Sequence, residues 1–134
     1  MNDTLVEQLL TAFLIKWNLY PTAKWTKPNV NFTPPVEGIW VRMQVENSYS
    51  RIESISKNPL ILSAGIITFQ CFVKENTGTA QIKKFTDALG KYMSLYRDTN
   101  NLFTDTPATR HVGVNNGWYQ VNLNINYELY NQDV

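Results

Sequence analysis

The chain has 134 residues and a mass of 15.5 kDa, room for one domain around one core, since single domains commonly run ~100 to 150 residues. Apolar residues at 43%, with four tryptophans, seven tyrosines and six phenylalanines, supply enough buriable surface to offset chain entropy, which excludes an intrinsically disordered chain. Twelve Lys and Arg against eleven Asp and Glu leave a net charge of +1, without the basic excess of a tight nucleic-acid binder or the acidic excess of a solvating tail.

From Thr4 to Asn18, residues Leu5, Leu9, Leu10, Phe13, Leu14 and Trp17 recur at three- and four-residue spacing and predict an amphipathic helix. Thr4 and Glu7 fit a capping box at its start. Asp3 and Glu7 also suit the positive end of the helix dipole. Pro21 ends the helix. Tyr20 to Gly38 then holds Pro21, Pro28, Pro34 and Pro35 and reads as an extended segment with a short strand near Trp25, because each X-Pro step disfavours helix.

Ile39 to Val45 alternates Ile39, Val41, Met43 and Val45 with Trp40, Arg42 and Gln44, the pattern of a strand with one buried face. Ile66 to Lys74 repeats it, with Ile67, Phe69, Cys71 and Val73 inward, and Phe72 as the apolar exception on the polar side. The two runs pair as an antiparallel hairpin. Between them Glu46 to Leu60 is polar and long, and long connections in compact domains are usually functional or disordered. This segment, with Tyr49 and Arg51 near its tip, is a first candidate for a partner contact, and Phe103 to Thr109 is a second loop of that kind.

Thr77-Gly78-Thr79 opens a second helix whose stripe is Ile82, Phe85, Leu89, Tyr92, Met93 and Tyr96, opposite Lys83, Lys84, Asp87 and Lys91. Gly90 inside it costs about 1 kcal/mol relative to Ala; either the helix bends there or the sheet approaches closely. Asn116-Gly117 is the preferred pair for a two-residue type I′ turn. Counting outward pairs Val114 with Tyr119 and Val112 with Val121. The second arm buries Tyr119, Val121, Leu123, Ile125, Tyr127 and Leu129 and presents Gln120, Asn122, Asn124, Asn126 and Glu128 on the other face. The expected fold over residues 1–134 is a single α+β domain: an antiparallel sheet of about four strands with two amphipathic helices packed on one face.

Catalytic templates find no match. There is no Gly-x-Ser-x-Gly elbow, no His-Glu-x-x-His, no phosphate loop and no Gly-x-Gly-x-x-Gly. A Cys71–His111 nucleophile pair is disfavoured, because the alternation puts Cys71 on the buried face and His111, opposite Asn122, on the polar one. One cysteine excludes a disulfide framework and a multi-thiolate zinc site, and with one histidine a metal would rest on carboxylates that do not cluster. No apolar run nears the ~20 residues needed to span a bilayer, and Met1-Asn2-Asp3 gives no basic leader. A soluble, cytoplasmically made product without cofactor or metal is expected. Asn2-Asp3-Thr4 and Asn31-Phe32-Thr33 match a glycosylation triplet that is common by chance. Lys83 and Lys84 read as a solvated helix face or a contact to phosphate or an acidic partner.

The outer sheet face carries more information. Trp40, Phe72 and Trp118 join Gln44, Thr68, Gln70, Gln120, Asn122, Asn124 and Asn126 there. Few charges with many aromatics is the composition of a protein interface; the alternative is an ordinary exposed face with scattered aromatics. Trp25 and Phe32 read as cover for a core edge.

The run Lys27-Pro28-Asn29-Val30-Asn31-Phe32-Thr33-Pro34-Pro35, followed by Gly38-Ile39-Trp40-Val41-Arg42, resembles the signature of small phage tail terminator proteins. Gly65 to Lys74, then Thr77-Gly78 and a helix, is similar to a second segment of that family. The resemblance spans roughly residues 1 to 95. It implies a non-enzymatic structural protein of the virion, made in the host cytoplasm, that closes as a ring of six on the head-proximal end of the tail tube. Its implied partners are copies of itself, the tail tube protein and a head-completion or connector protein, with genomic DNA passing through the lumen without specific binding and no membrane involved. Head-to-tail contacts close into a ring when the rotation per step divides the circle, and a near-neutral wall suits DNA transit, since basic walls would hold phosphates. The interface residues expected on this reading are Trp40, Tyr49, Arg51, Phe72, Trp118, Asn122 and Asn124. The competing readings are a neck or head-closure protein, a tail-tube subunit, and, in a different class, a small ligand-binding α+β domain or an enzyme with a nonstandard site.

Overall fold

The computed structural model describes residues 3–54, 59–98 and 101–131. In chain order it contains α1 (Asp3–Ile15), a 3-10 turn (Tyr20–Thr22), β1 (Ala23–Thr26), β2 (Ile39–Ile52), β3 (Ile61–Lys74), α2 (Ala80–Met93), β4 (Leu102–Asn115) and β5 (Trp118–Asn131). The strands form one five-stranded sheet in the order β1-β2-β3-β5-β4. β1 runs parallel to β2, pairing Ala23 with Ile39 and Thr26 with Arg42, while the other three pairings are antiparallel.

The sheet is therefore mixed and five-stranded, which corrects the antiparallel sheet of about four strands expected from sequence. A four-residue strand is too short to show period two. Its direction, moreover, follows from where the crossover Lys27–Gly38 returns the chain, which no local pattern encodes. That crossover turns through left-handed backbone at Asn29 (φ 60°) and Gly38 (φ 92°).

Both helices pack on the same sheet face. α1 contributes buried Val6, Leu10 and Leu14, with Trp17 following the helix, and α2 contributes Ile82, Phe85, Leu89 and Met93. They meet Val41, Met43, Ile67, Phe69, Cys71, Val121, Leu123 and Ile125 from the sheet. An aromatic seam joins the layers. Phe13 stacks on Tyr92 at 4.3 Å, Trp17 lies 5.6 Å from Phe85, and Trp25 meets Phe69 edge-on at 6.5 Å. The Tyr92 hydroxyl donates to the Phe13 carbonyl at 2.6 Å. Trp25 is partly buried and packs against this core. Thr4 lies inside α1, which already includes Asp3, and Glu7 pairs with Lys27 at 2.7 Å instead of serving a capping box.

Gly90 is resolved in favour of close approach. A Cβ there would sit 3.2 Å from Pro107 Cγ and 3.5 Å from a Leu123 methyl.

β2 and β4 are longer than expected. β2 continues to Ile52 through the polar residues assigned to a loop, so the connection shrinks to 53–60, of which 55–58 lie outside the described residues. Polar residues are tolerated because the distal part of β2 pairs with β3 on one side only and is solvated on the other. A bulge between Asn47 and Tyr49 re-aims the chain. Likewise Phe103–Thr109 is strand, not loop. Pro107 is accommodated because β4 is an edge strand, with irregularities between Thr104 and Pro107 and between His111 and Gly113.

The second of these corrects the hairpin register. Asn116 and Gly117 adopt the expected left-handed turn (φ 52° and 84°), and Val114 pairs with Tyr119, but Val112 is the bulged residue and His111 faces Val121.

Tyr96 falls beyond the end of α2 and locks the start of β4. Its backbone N–H donates to Thr104 Oγ1 at 2.7 Å, its hydroxyl donates to Asp98 at 3.1 Å, and Thr104 Oγ1 donates to the Met93 carbonyl at 2.6 Å. The Tyr96 phenol is pushed up to about 12, first by burial and then by the charge of, and hydrogen bond to, Asp98. An unfolded tyrosine titrates near ~10, so between those values the unfolded chain holds fewer protons and stability falls as pH rises. Denaturation midpoints followed from pH 9 to 12 are expected to decline across this window, less steeply for Tyr96→Phe. Identical slopes for the two proteins would contradict this assignment.

Candidate functional site: the outer sheet face

Because side chains alternate along a strand, the registers of β2, β3 and β5 assign the face away from the helices. Trp40 pairs with Phe72 and Phe72 with Gln120; Gln70 pairs with Asn122, Thr68 with Asn124, and Lys74 with Trp118. Beyond the bulge, Tyr49 faces Ala64 and Arg51 faces Leu62, which restores them to the same face. All seven interface residues expected from sequence, Trp40, Tyr49, Arg51, Phe72, Trp118, Asn122 and Asn124, therefore share one surface. At fourteen residues per strand it is about 45 Å long.

This surface has three zones. At one end Trp40 stacks on Phe72 (4.0 Å), meets Trp118 edge-on (5.8 Å) and is covered by Phe32 from the crossover (5.2 Å). Arg42 lies 5.8 Å from the Trp40 ring and Lys74 lies 5.1 Å from that of Trp118. Trp40 is thus only 6% exposed: the chain's own crossover seals it. In the middle Thr68 donates to Asn124 Oδ1 at 3.0 Å and Gln120 to Asn122 Oδ1 at 2.8 Å. At the far end Arg51 pairs with Glu53 and lies 5.8 Å from the Tyr49 ring, while Tyr130 donates to Glu128 at 2.9 Å and meets Phe103 edge-on. The Glu53 hydrogen bond and charge raise the Arg51 pKa, and the Glu128 hydrogen bond raises that of Tyr130.

Phe32, Lys74, Phe103 and Tyr130 complete these zones; alternation already puts Lys74 on the polar face of its strand with Thr68 and Gln70, whereas Tyr130 was not named. Phe32 and Phe103 lie in segments read as an edge cover and a loop. Tyr130 lies at the end of β5, beyond the last residue assigned to a face. The Asn-Gly register could have placed Lys74 opposite Trp118 only after the pairing of β3 with β5 was known.

Cys71 and His111 are separated by a different geometry from the one expected. Cys71 pairs with Val121 and Val121 with His111, so both lie on the helix-facing side, two strand spacings apart, about 10 Å. That span still excludes a nucleophile–base contact. Burial pushes the Cys71 thiol up, and His111 Nδ1 instead meets the Tyr119 hydroxyl at 2.9 Å on an exposed surface. Lys83 and Lys84 are exposed on α2. Among the described residues no group of three His, Cys, Asp or Glu is arranged to hold a metal, and no helix is long and apolar enough to cross a membrane.

No family model and no curated protein matches the chain. Among solved structures, a protein whose name states no activity aligns over 92% of this chain and 89% of its own at a TM-score of 0.64 and 14% identity. The chain is similar to that protein in fold.

Proposed function

We propose that this chain is a tail-completion protein of a long-tailed phage or prophage, which closes as a ring on the head-proximal end of the tail tube and ends its polymerisation. The observation that carries the reading is the gathering of Tyr49, Arg51, Phe72, Trp118, Asn122 and Asn124, with the sealed Trp40 at one end, onto one long face whose middle is uncharged amide and hydroxyl. Such a face matches the composition of protein interfaces. The resemblance of residues 27–42 to terminator proteins adds support. That segment builds the crossover and the start of β2 beside the aromatic end of the face.

Two unlike sheet edges also suit a ring. On one side β1 covers only Ile39–Arg42 of β2; on the other, β4 is broken by Pro107 and two irregularities. Contacts through unlike patches are directional and continue from copy to copy until the rotation closes. A tube subunit would instead continue into filaments, and a ligand-binding domain would remain a monomer or dimer.

Native mass spectrometry of the purified chain, alone and with unfinished tail tubes, tests the proposal. A ring, free or on the tube, is the expected species; fibres, or a solitary chain even with tubes present, would end it. Tyr49 and Arg51 are exposed, and the double change to Ala is expected to leave the unfolding midpoint within about 1 kcal/mol while lowering ring or ring-on-tube occupancy about tenfold, or about 1.4 kcal/mol. Unchanged occupancy would remove the far end of the face from the interface.

A further inference from the structure

A cavity of about 470 Å³ lies between the crossover and the outer face, lined by Thr26, Lys27, Phe32, Trp40, Arg42 and Gln70 among others. No carboxylate belongs to its described lining. Lys27 is already paired with Glu7 at 2.7 Å, and Glu46 accepts from the Gln44 amide. Arg42 is thus the uncompensated charge: its Nη1 reaches Gln70 Oε1 at a long 3.4 Å. A second observation concerns Trp40. Its indole Nε1 is buried and has no acceptor among the described residues. A buried N–H without an acceptor is costly, and the Trp40 ring forms part of the cavity wall.

The cavity also sits where the sheet edge opens. Thr26 and Arg42 form the last pair between β1 and β2, and both line the cavity. Among the described residues, no strand lies beside that edge of β2 from Met43 to the bulge after Asn47.

We propose that this edge and cavity together bind an extended segment of another polypeptide, which adds a strand beside Met43–Asn47 and places one Asp or Glu side chain into the cavity. Main-chain pairing along a free edge supplies affinity without sequence choice, and a pocket beside it supplies the choice. The pocket selects a carboxylate because a single free guanidinium offers a planar fork that fits a planar, singly charged group. The remaining Gln70 amide N–H is an additional donor, and Phe32 and Trp40 form an apolar wall for the stem of the side chain. A phosphate, with nearly two charges at neutral pH, would be undercompensated. The site stands independently of the ring reading.

The test uses the full chain labelled with nitrogen-15, the indole N–H resonance of Trp40 as readout, and two short extended peptides of alternating threonine and valine. One peptide carries a central glutamate and the other a central glutamine. Binding about tenfold tighter for the glutamate peptide, with the Trp40 resonance shifting to saturation, is expected. Arg42→Gln, a partly exposed substitution whose folding the same spectrum verifies, is expected to abolish the preference. Equal affinity for the two peptides, a preference that survives Arg42→Gln, or displacement of the peptide by inorganic phosphate at comparable concentration would overturn the proposal.

Discussion

Replacing Gly65 with Ala is expected to destabilise the protein by about 3 kcal/mol or more, lowering the thermal midpoint by about 10 °C. Gly65 lies in β3 between Asn47 of β2 and Tyr127 of β5, one residue before the β2 bulge takes effect. A Cβ at this position would overlap the Glu46 carbonyl oxygen and approach the Tyr127 ring to 2.7 Å. Tyr127 is fully packed, at 2% exposure, so its ring has little room to retreat. The carbonyl belongs to the neighbouring strand and moves only if β2 separates from β3.

Adding Tyr127→Leu therefore does not rescue Gly65→Ala, because the backbone overlap remains. Gly90→Ala provides the contrast: its helix propensity gain of about 1 kcal/mol is set against the 3.2 Å approach to Pro107, and the net change is expected to be small. Thermal unfolding of the four proteins decides the matter. A Gly65→Ala midpoint as high as that of Gly90→Ala would show that the close approach of β2, β3 and β5 is not rigid.

Trp40→Ala is expected to cost about 3 kcal/mol. The indole fills the space between Phe72, Trp118 and the crossover residue Phe32, and removing it leaves Phe32 without its platform. The large-to-small loss of about 3–5 kcal/mol is offset in part because the unpaired indole N–H leaves with the ring. Trp40→Phe keeps the stack on Phe72 and deletes that N–H, so it is expected to lie within about 1 kcal/mol of the parent. Equilibrium urea unfolding of both variants separates the contributions. Equally mild effects would mean that the crossover holds itself in place without the aromatic cluster. Equally severe ones would mean that the indole N–H has an acceptor.

The inward residues of β3 and β5 were legible because alternation is read one residue at a time and both strands are buried on one face along their length. Asn116-Gly117 fixed its own turn for the same reason: the positive φ values it needs are local. The helices were legible as stripes: in α1 Leu10 and Leu14 are buried as read, Leu5, Leu9 and Phe13 pack against the core partly buried, and only Val6 was missed. The distal halves of β2 and β4 were not legible, because edge strands receive their order from a neighbour's backbone and keep polar side chains. The candidate face followed this division. Trp40, Phe72, Trp118, Asn122 and Asn124 could be grouped by alternation alone, whereas Tyr49 and Arg51 join them only because a bulge inserts one residue and re-aims the strand.

By itself the sequence determined which short segments are helical or extended, where the chain turns at Asn116-Gly117, and which side chains leave water. Each of these depends on neighbours a few residues away, through backbone sterics and the periodicity of apolar groups. Only the tertiary structure decided that β1 joins in parallel, that Val112 bulges and turns His111 toward the helix side, and that Phe32 closes over Trp40. Those outcomes depend on contacts between segments distant in the chain, where pairing direction and register are set by the closure of the whole sheet.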